Sequence, residues 1–322
     1  MLTLIETSIW HWSGFIGVIL IFLAMDLGLF HRQAHIVKFR EALLWTSVWF
    51  LMAMLFAGGL WPLRGKEEAV EFLTGYIIEL SLSMDNVFVI ALIFAYFRVP
   101  LAYQHRVLFW GILGALAMRG VMIGAGAALI KHFHWMLYVL GGFLILTGIK
   151  MVFCGEEGVH PEKNIVIRLA RKCFPVAREF EGQKFFTKIN RRRGLTPLAL
   201  VLLMVETTDL IFAVDSIPAI FAVTQKPFIV FTSNVFAILG LRSLYFVLAN
   251  AIGYFRYLKV GLSLVLVFIG AKMLLPLAQR KFDFAKDFDL STTSSLVIVA
   301  GIIFFSIFFS IVAAWRQPAK KL

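Results

Sequence analysis

Apolar runs of about twenty residues recur along this chain, separated by short polar or basic stretches, and each is long enough to cross a bilayer as a helix. The pattern predicts nine spans, at about 10–30, 42–62, 71–96, 107–130, 134–153, 197–222, 228–252, 257–277 and 293–315. The expected fold class is therefore all-α: a polytopic membrane helix bundle of nine transmembrane helices, forming a single membrane domain over residues 1–322. The first run has neither a basic flank before it nor an A-x-A-like site after it, so it reads as a retained helix and not a cleaved signal peptide.

Two stretches break the apolar pattern in matching registers, Glu79 to Asn86 (ELSLSMDN) and Glu206 to Pro218 (ETTDLIFAVDSIP). Glu79 and Asp85 are six apart, as are Asp209 and Asp215; Asn86 follows the first pair and Ser216 the second. Downstream, GILGALAMR ending at Arg119 parallels AILGLR ending at Arg242, and TGIKM around Lys150 parallels IGAKM around Lys272. Matched anchors in the same order define a repeat, 71–153 (helices 3–5) and 197–279 (helices 6–8). Three spans per copy make the second copy enter the membrane from the opposite side, which gives the 3+3 inverted repeat of many secondary transporters. Pro218, three residues after Asp215, is expected to kink or interrupt its helix and to expose carbonyls to a cation.

Composition agrees with the membrane reading: 60% of residues are hydrophobic, mean hydropathy is +0.86, and 16% are charged where a soluble domain has about 25%. The net charge of +12 does not call for nucleic acid, because the basic residues are distributed by side. Twenty Lys and Arg fall at the loops after helices 1, 3, 5 and 7 and in the C-terminal tail, against seven in the other loops. By the positive-inside rule the N-terminus is outside and the C-terminus cytoplasmic. The basic cytoplasmic loop at 154–196 is too small for a domain; Ile165 to Lys172 suit a short surface helix, and Arg191, Arg192 and Arg193 suit anionic lipid, although topology alone also explains their charge. Cys154 and Cys173, with His160 between them, lack the spacing of a zinc site, and a reduced compartment argues against a disulfide.

Ionisable groups at membrane depth are costly and mark functional sites. Glu79, Asp85, Glu206, Asp209 and Asp215, with Asn86, Ser216 and the hydroxyls of Thr207 and Thr208, form an all-oxygen set. Such donors suit magnesium, calcium or manganese, whereas zinc and copper favour imidazole or thiolate. Met84 offers one soft thioether but equally suits packing, and Asp26 equally suits the interface. A competing reading pairs the carboxylates with Arg119, Arg242, Lys150 and Lys272 in buried salt bridges. Five acids exceed four bases, and the lysines lie near helix ends where they can snorkel. Both arginines are expected to face the interior, each near a carboxylate. The inverted topology further suggests two acidic layers, Glu79 with Asp215 and Asp85 with Asp209.

At these residues the chain also resembles a known family, the TerC integral membrane proteins, and within it the Alx-like members. The resemblance rests on GYIIELSLSMDNVF, VETTDLIFAVDSIPAIFAVT, PFIVFTSNVFAILGLRSLYF and VFIGAKML and spans nearly the whole chain. It implies a nine-helix protein of the bacterial inner membrane, related to the LysE-type exporters and associated with manganese efflux and, by name, with tellurite resistance. The family's acidic positions fall on Glu79, Asp85, Asn86, Glu206, Asp209, Asp215 and Ser216. The leading expectation is a manganese exporter, proton-coupled, with no permanently bound cofactor and no enzymatic activity. The alternative is a non-transporting scaffold in a tellurite or metal stress-response complex, docking through the basic loop. A redox enzyme would have to use Cys154 or Cys173, and no cofactor motif accompanies them. Direct passage of tellurite is disfavoured, since acids repel an anion.

A reporter fused after Leu322 or within 154–196 is expected to read cytoplasmic, and one at the N-terminus outside; opposite readings would overturn the assignment of sides.

Overall fold

The computed structural model describes residues 9–25, 39–153, 164–189, 192–248, 257–281 and 290–316. These form α1 (Ile9–Met25), α2 (Phe39–Arg64), α3 (Lys66–Tyr96), α4 (Leu101–His132), α5 (Met136–Phe153), α6 (Ile165–Cys173), β1 (Phe186–Ile189), β2 (Arg192–Leu195), α7 (Pro197–Phe221), α8 (Pro227–Leu248), α9 (Leu258–Lys281) and α10 (Thr292–Arg316). Among the described residues eight helices, α2–α5 and α7–α10, are long and apolar enough to cross a membrane. The protein is thus a polytopic helical membrane protein. α1, expected as the first span, is described over 17 residues; the rest of that run, Asp26 included, lies outside the described residues.

α3 begins five residues before the expected start at 71, with Glu67 and Glu68 in its first turn, where carboxylates favour the helix dipole. Gly65, at φ 96°, lets the chain turn directly from α2 into α3. At 31 residues α3 is about 46 Å long, more than the roughly 30 Å of hydrocarbon, so its ends reach beyond the apolar layer. α7 starts on a Thr196 cap and runs unbroken through Pro218 to Phe221. The expected interruption beside Asp215 is absent: Pro218 cannot donate to the Val214 carbonyl, but it falls in the last turn and the helix ends three residues later at Phe221.

The 154–196 loop contains the anticipated surface helix, α6, capped by Asn164, whose Oδ1 accepts from Val166 N at 2.9 Å and Ile167 N at 3.2 Å. Ile167 is buried against the bundle, while Ile165 and Leu169 are exposed. It also contains an unanticipated antiparallel pair, β1 with β2, in which Phe186 faces Leu195. A four-residue strand reading RRGL carries no alternation that distinguishes it from loop. Cys173 ends α6 and is exposed; Cys154 and His160 lie outside the described residues.

The most enclosed span is α8, 89% of whose apolar window is buried, against 11% for α10 on the periphery. It packs on α2, α3 and α4, while α7 packs on α3 and α4, so α3, α4, α7 and α8 surround the centre. α3 meets α8 as α4 meets α7, α5 meets α9, and α5 touches α7 as α3 touches α9. Glycines permit the closest approaches. A Cβ on Gly75 of α3 would lie 2.8 Å from Ser233 Oγ on α8. Between α5 and α9, a Cβ on Gly270 would lie 2.6 Å from the Gly141 carbonyl oxygen, a backbone atom that cannot swing away.

Gly270→Val should therefore force α5 and α9 apart at a cost of about 1–3 kcal/mol, read as a lower melting temperature of the detergent-purified protein. Gly301→Val, where no atom lies within 4 Å of a Cβ, should leave it unchanged; equal melting of the two variants would remove the close α5–α9 contact as a determinant of stability.

Candidate functional site

Along α3, Glu68, Glu71, Gly75, Glu79, Ser83 and Asn86 recur at three- and four-residue intervals and are all buried, so the polar residues form one stripe facing the interior. Glu79 lies about 20 Å from the start of α3 and about 26 Å from its end, near mid-depth. Arg119 is similarly central on α4 and Asp209 on α7. The three meet. Glu79 is 0% and Arg119 2% exposed, and the guanidinium is the hub of the cluster.

Arg119 Nη1 bonds the Glu79 carboxylate, and also donates to Asn234 Oδ1 at 3.0 Å and Ser216 Oγ at 3.2 Å. Its Nη2 and Nε grip Asp209 in a two-pronged fashion, at 3.0 Å to Oδ1 and 3.2 Å to Oδ2. That fork geometry is what distinguishes arginine from lysine at a carboxylate. Asn234 Nδ2 donates to the second Glu79 oxygen at 3.2 Å, and Asn86 Nδ2 donates to Asp209 Oδ1 at 3.2 Å. Each carboxylate therefore has a charged and a neutral donor, as burial in low dielectric requires. Asn234, uncharged and following Thr232 and Ser233 in α8, is not among the carboxylates expected at the site. An asparagine in the middle of an otherwise buried helix was the available signal.

The seven expected ligands do not converge on one point. Glu79, Asn86, Asp209 and Ser216 join the Arg119 cluster, but Asp215 turns to α5, where it bonds Thr147 near Lys150. The acidic layer of Glu79 with Asp215 is thus not formed, because separate bases on α4 and α5 draw the two acids apart. Asn86 does share Asp209, while Asp85 beside it is half-buried. Among the described residues no three His, Cys, Asp or Glu stand grouped as a ready metal cage. Thr207 and Thr208 donate their hydroxyl protons to carbonyls one turn back, Leu203 and Met204, and Thr207 Oγ1 also accepts from Asn164 Nδ2. Met84 packs among apolar side chains. Of the other bases, Lys272 donates to Ser295 on α10 at 2.7 Å. Arg242 shares with Asp209 the lining of a cavity of ≈ 20 Å3 between α3, α4, α7 and α8, room for about one water.

Glu206, one turn before Asp209, occupies the space that Gly114 leaves open on α4. Its Oε2 is buried without a hydrogen-bond partner, as is Asn86 Oδ1. Both orphans are acceptors flanking Asp209. Near the same end of α7, Asn164 Nδ2, while its oxygen caps α6, donates to Thr207 Oγ1 at 2.9 Å and so ties the surface helix to the residue after Glu206.

A second charged cluster lies at the α2–α3 corner. Arg64 pairs with Glu68, and Lys226 Nζ lies 3.5 Å from Glu68 and 3.2 Å from Glu71. Thr224 donates to Glu71 at 2.9 Å, and the Arg64 guanidinium sits 5.6 Å from the Phe228 ring centroid. These bonds clamp the α7–α8 turn onto the start of α3.

Residues 64–319 match the family described as integral membrane protein TerC family. The membrane protein STKORF319 of Myxococcus xanthus is 52% identical over 309 residues, covering 96% of this chain and 94% of its own length. A protein of Salmonella typhi, named as a candidate membrane-bound redox modulator, Alx, is 44% identical over 322 residues, covering 97% and 96%. The protein of the same name in Escherichia coli K12 is 44% identical over 313 residues, 94% of each chain. No solved structure matches significantly. With four-fifths of its length inside the family match and relatives of this identity along nearly its whole length, the chain belongs to the TerC family of integral membrane proteins.

Proposed function

We propose that the protein exports a divalent cation, manganese, from the cytoplasm across the bacterial inner membrane, with the N-terminus outside and the C-terminus inside. One observation carries this reading: Glu206 Oε2 and Asn86 Oδ1 are buried oxygens without donors, on two residues that neighbour Asp209. A hydrogen-bond donor would satisfy one such atom. Oxygen acceptors left over around a carboxylate match what a hard divalent cation demands. Manganese in particular rests on the family resemblance, and exchange for protons on the same carboxylates is part of the proposal.

In this reading the ion enters beside Thr207, meets Glu206 and then Asp209 with Asn86, and passes to Glu79 and Ser216. Asp215 lies to the side of this path, bonded to Thr147. The paired packing of α3 on α8 and α4 on α7 is what an exchange of two inverted copies produces, and supports alternating access between them. Lys272 and Arg242 are the second copy's counterparts of Lys150 and Arg119. The basic face of α6, with Arg168, Arg171 and Lys172, is assigned to anionic lipid at the cytoplasmic surface.

The exposed apolar and basic side chains of α6 favour the runner-up, a scaffold that docks a stress-response complex through this loop. The relatives' name adds a redox role, for which the cysteines are the available groups.

Mn2+ uptake into inside-out vesicles, with and without a pH gradient, separates these readings. Glu206→Gln should slow uptake by about 100-fold, within the range set by loss of one charged ligand, and Asn234→Ala by about 10-fold through a loosened Glu79. Replacing Cys154 and Cys173 by serine should leave uptake unchanged. Absence of flux for every divalent ion tested would end the transport reading.

A further inference from the structure

The strongest feature outside the proposed ion path is the residue that stands across it. Arg119 bridges Glu79 on α3 and Asp209 on α7, which are equivalent positions of the two repeats, and it leaves neither carboxylate free of a guanidinium contact. Resting on the cation-transport reading, we propose that Arg119 is a resident counter-cation of the site, which an incoming ion must displace from Asp209, and that this competition makes the site selective for divalent over monovalent cations.

The contacts divide the guanidinium into two halves. Nε and Nη2 serve Asp209; Nη1 serves Glu79, Asn234 and Ser216. An ion binding at Asp209, Glu206 and Asn86 therefore needs to release only the first half, while the second half keeps the arginine anchored in the membrane interior. Release has a definite electrostatic consequence. Glu79, Asp209 and Arg119 together carry one net negative charge, so the empty site is already mostly compensated. A monovalent ion at Asp209 would replace one unit of positive charge by another and forfeit two hydrogen bonds. A divalent ion brings twice the charge to the same oxygens, and Coulomb attraction at fixed distance doubles with it. Glu206, whose Oε2 has no donor, supplies a further oxygen ligand beside Asp209.

A purely structural staple would predict the opposite effect of removing the arginine. If Arg119 only held α3, α4 and α7 together, neutralising it would scatter the ligands and weaken ion binding. If it competes with the ion, neutralising it strengthens binding and admits monovalent ions.

The test uses the full chain purified in detergent, with Mn2+ binding measured by the electron paramagnetic resonance signal of the free ion, across a titration of NaCl against an equal titration of choline chloride. Arg119→Gln should bind Mn2+ about tenfold more tightly than wild type, within the usual range of coupling between sites. Na+ should compete with Mn2+ in Arg119→Gln and not in wild type. Arg119→Lys, which keeps the charge but lacks the fork, should shift both properties in the same direction by a smaller factor. Should Arg119→Gln fail to elute as a folded protein, Arg119→Lys carries the test alone. Wild type that binds Mn2+, with variants that bind it equally or more weakly and show no new Na+ competition, overturns the role of Arg119 and leaves transport standing. Wild type and variants that bind no divalent ion overturn the transport reading, and this inference with it.

Discussion

Two carboxylates near the middle of a membrane protein must be compensated, and the way Arg119 does so sets much of the rest of the structure. Isolated in hydrocarbon, an ion of this size faces a penalty of several kcal/mol even after relaxation. The guanidinium offsets it by contacting Glu79 and Asp209 together, while Asn234 covers the second Glu79 oxygen and Asn86 adds a further donor to Asp209 Oδ1. Such an arrangement needs α3, α4, α7 and α8 all within side-chain reach of one point. The small residues beside the cluster provide that: Gly75 admits Ser233 of α8, and Gly114 admits the Glu206 carboxylate from α7.

The polar stripe on α3 has two ends with different chemistry. At the helix start, Glu68 and Glu71 are matched by Arg64, Lys226 and Thr224, which closes the α2–α3 corner against the α7–α8 turn. Toward mid-depth the balance tips, since Glu206 adds an acid whose outer oxygen is unmatched. At the first cluster the unpartnered buried atom is a donor, Arg64 Nη1, whereas at the second the unpartnered atoms are oxygen acceptors, which suit a cation. The surface helix α6 connects to this second region through Asn164 and Thr207, so the cytoplasmic loop of the proposed topology is mechanically joined to the helix carrying Glu206 and Asp209.

Much of this was legible in the chain of residues. Helix positions followed from apolar runs because hydrocarbon tolerates no unpaired backbone, and length then sets the count of spans. Equal spacing along the chain matches Glu79 with Asp209 and Arg119 with Arg242, as an inverted repeat would preserve it. That Arg119 would face inward was implied by the cost of the alternative, exposure to lipid. Family membership was likewise carried by contiguous strings in the spans.

Tertiary structure alone decided which acid meets which base. Helical spacing turns Asp85 about 120° from Glu79 and Asp215 about 120° from Asp209, but only the neighbouring helix determines that Asp215 meets Thr147. The role of Asn234, the clamp at Glu68 and Glu71, and the orphan oxygen of Glu206 depend on contacts between residues up to 155 positions apart. Periodicity within one helix constrains a side chain's direction along that helix; it carries no information about the neighbour it will meet. The physical reason is that burial and charge compensation are properties of a site built from four helices, and each helix contributes only a few of its side chains.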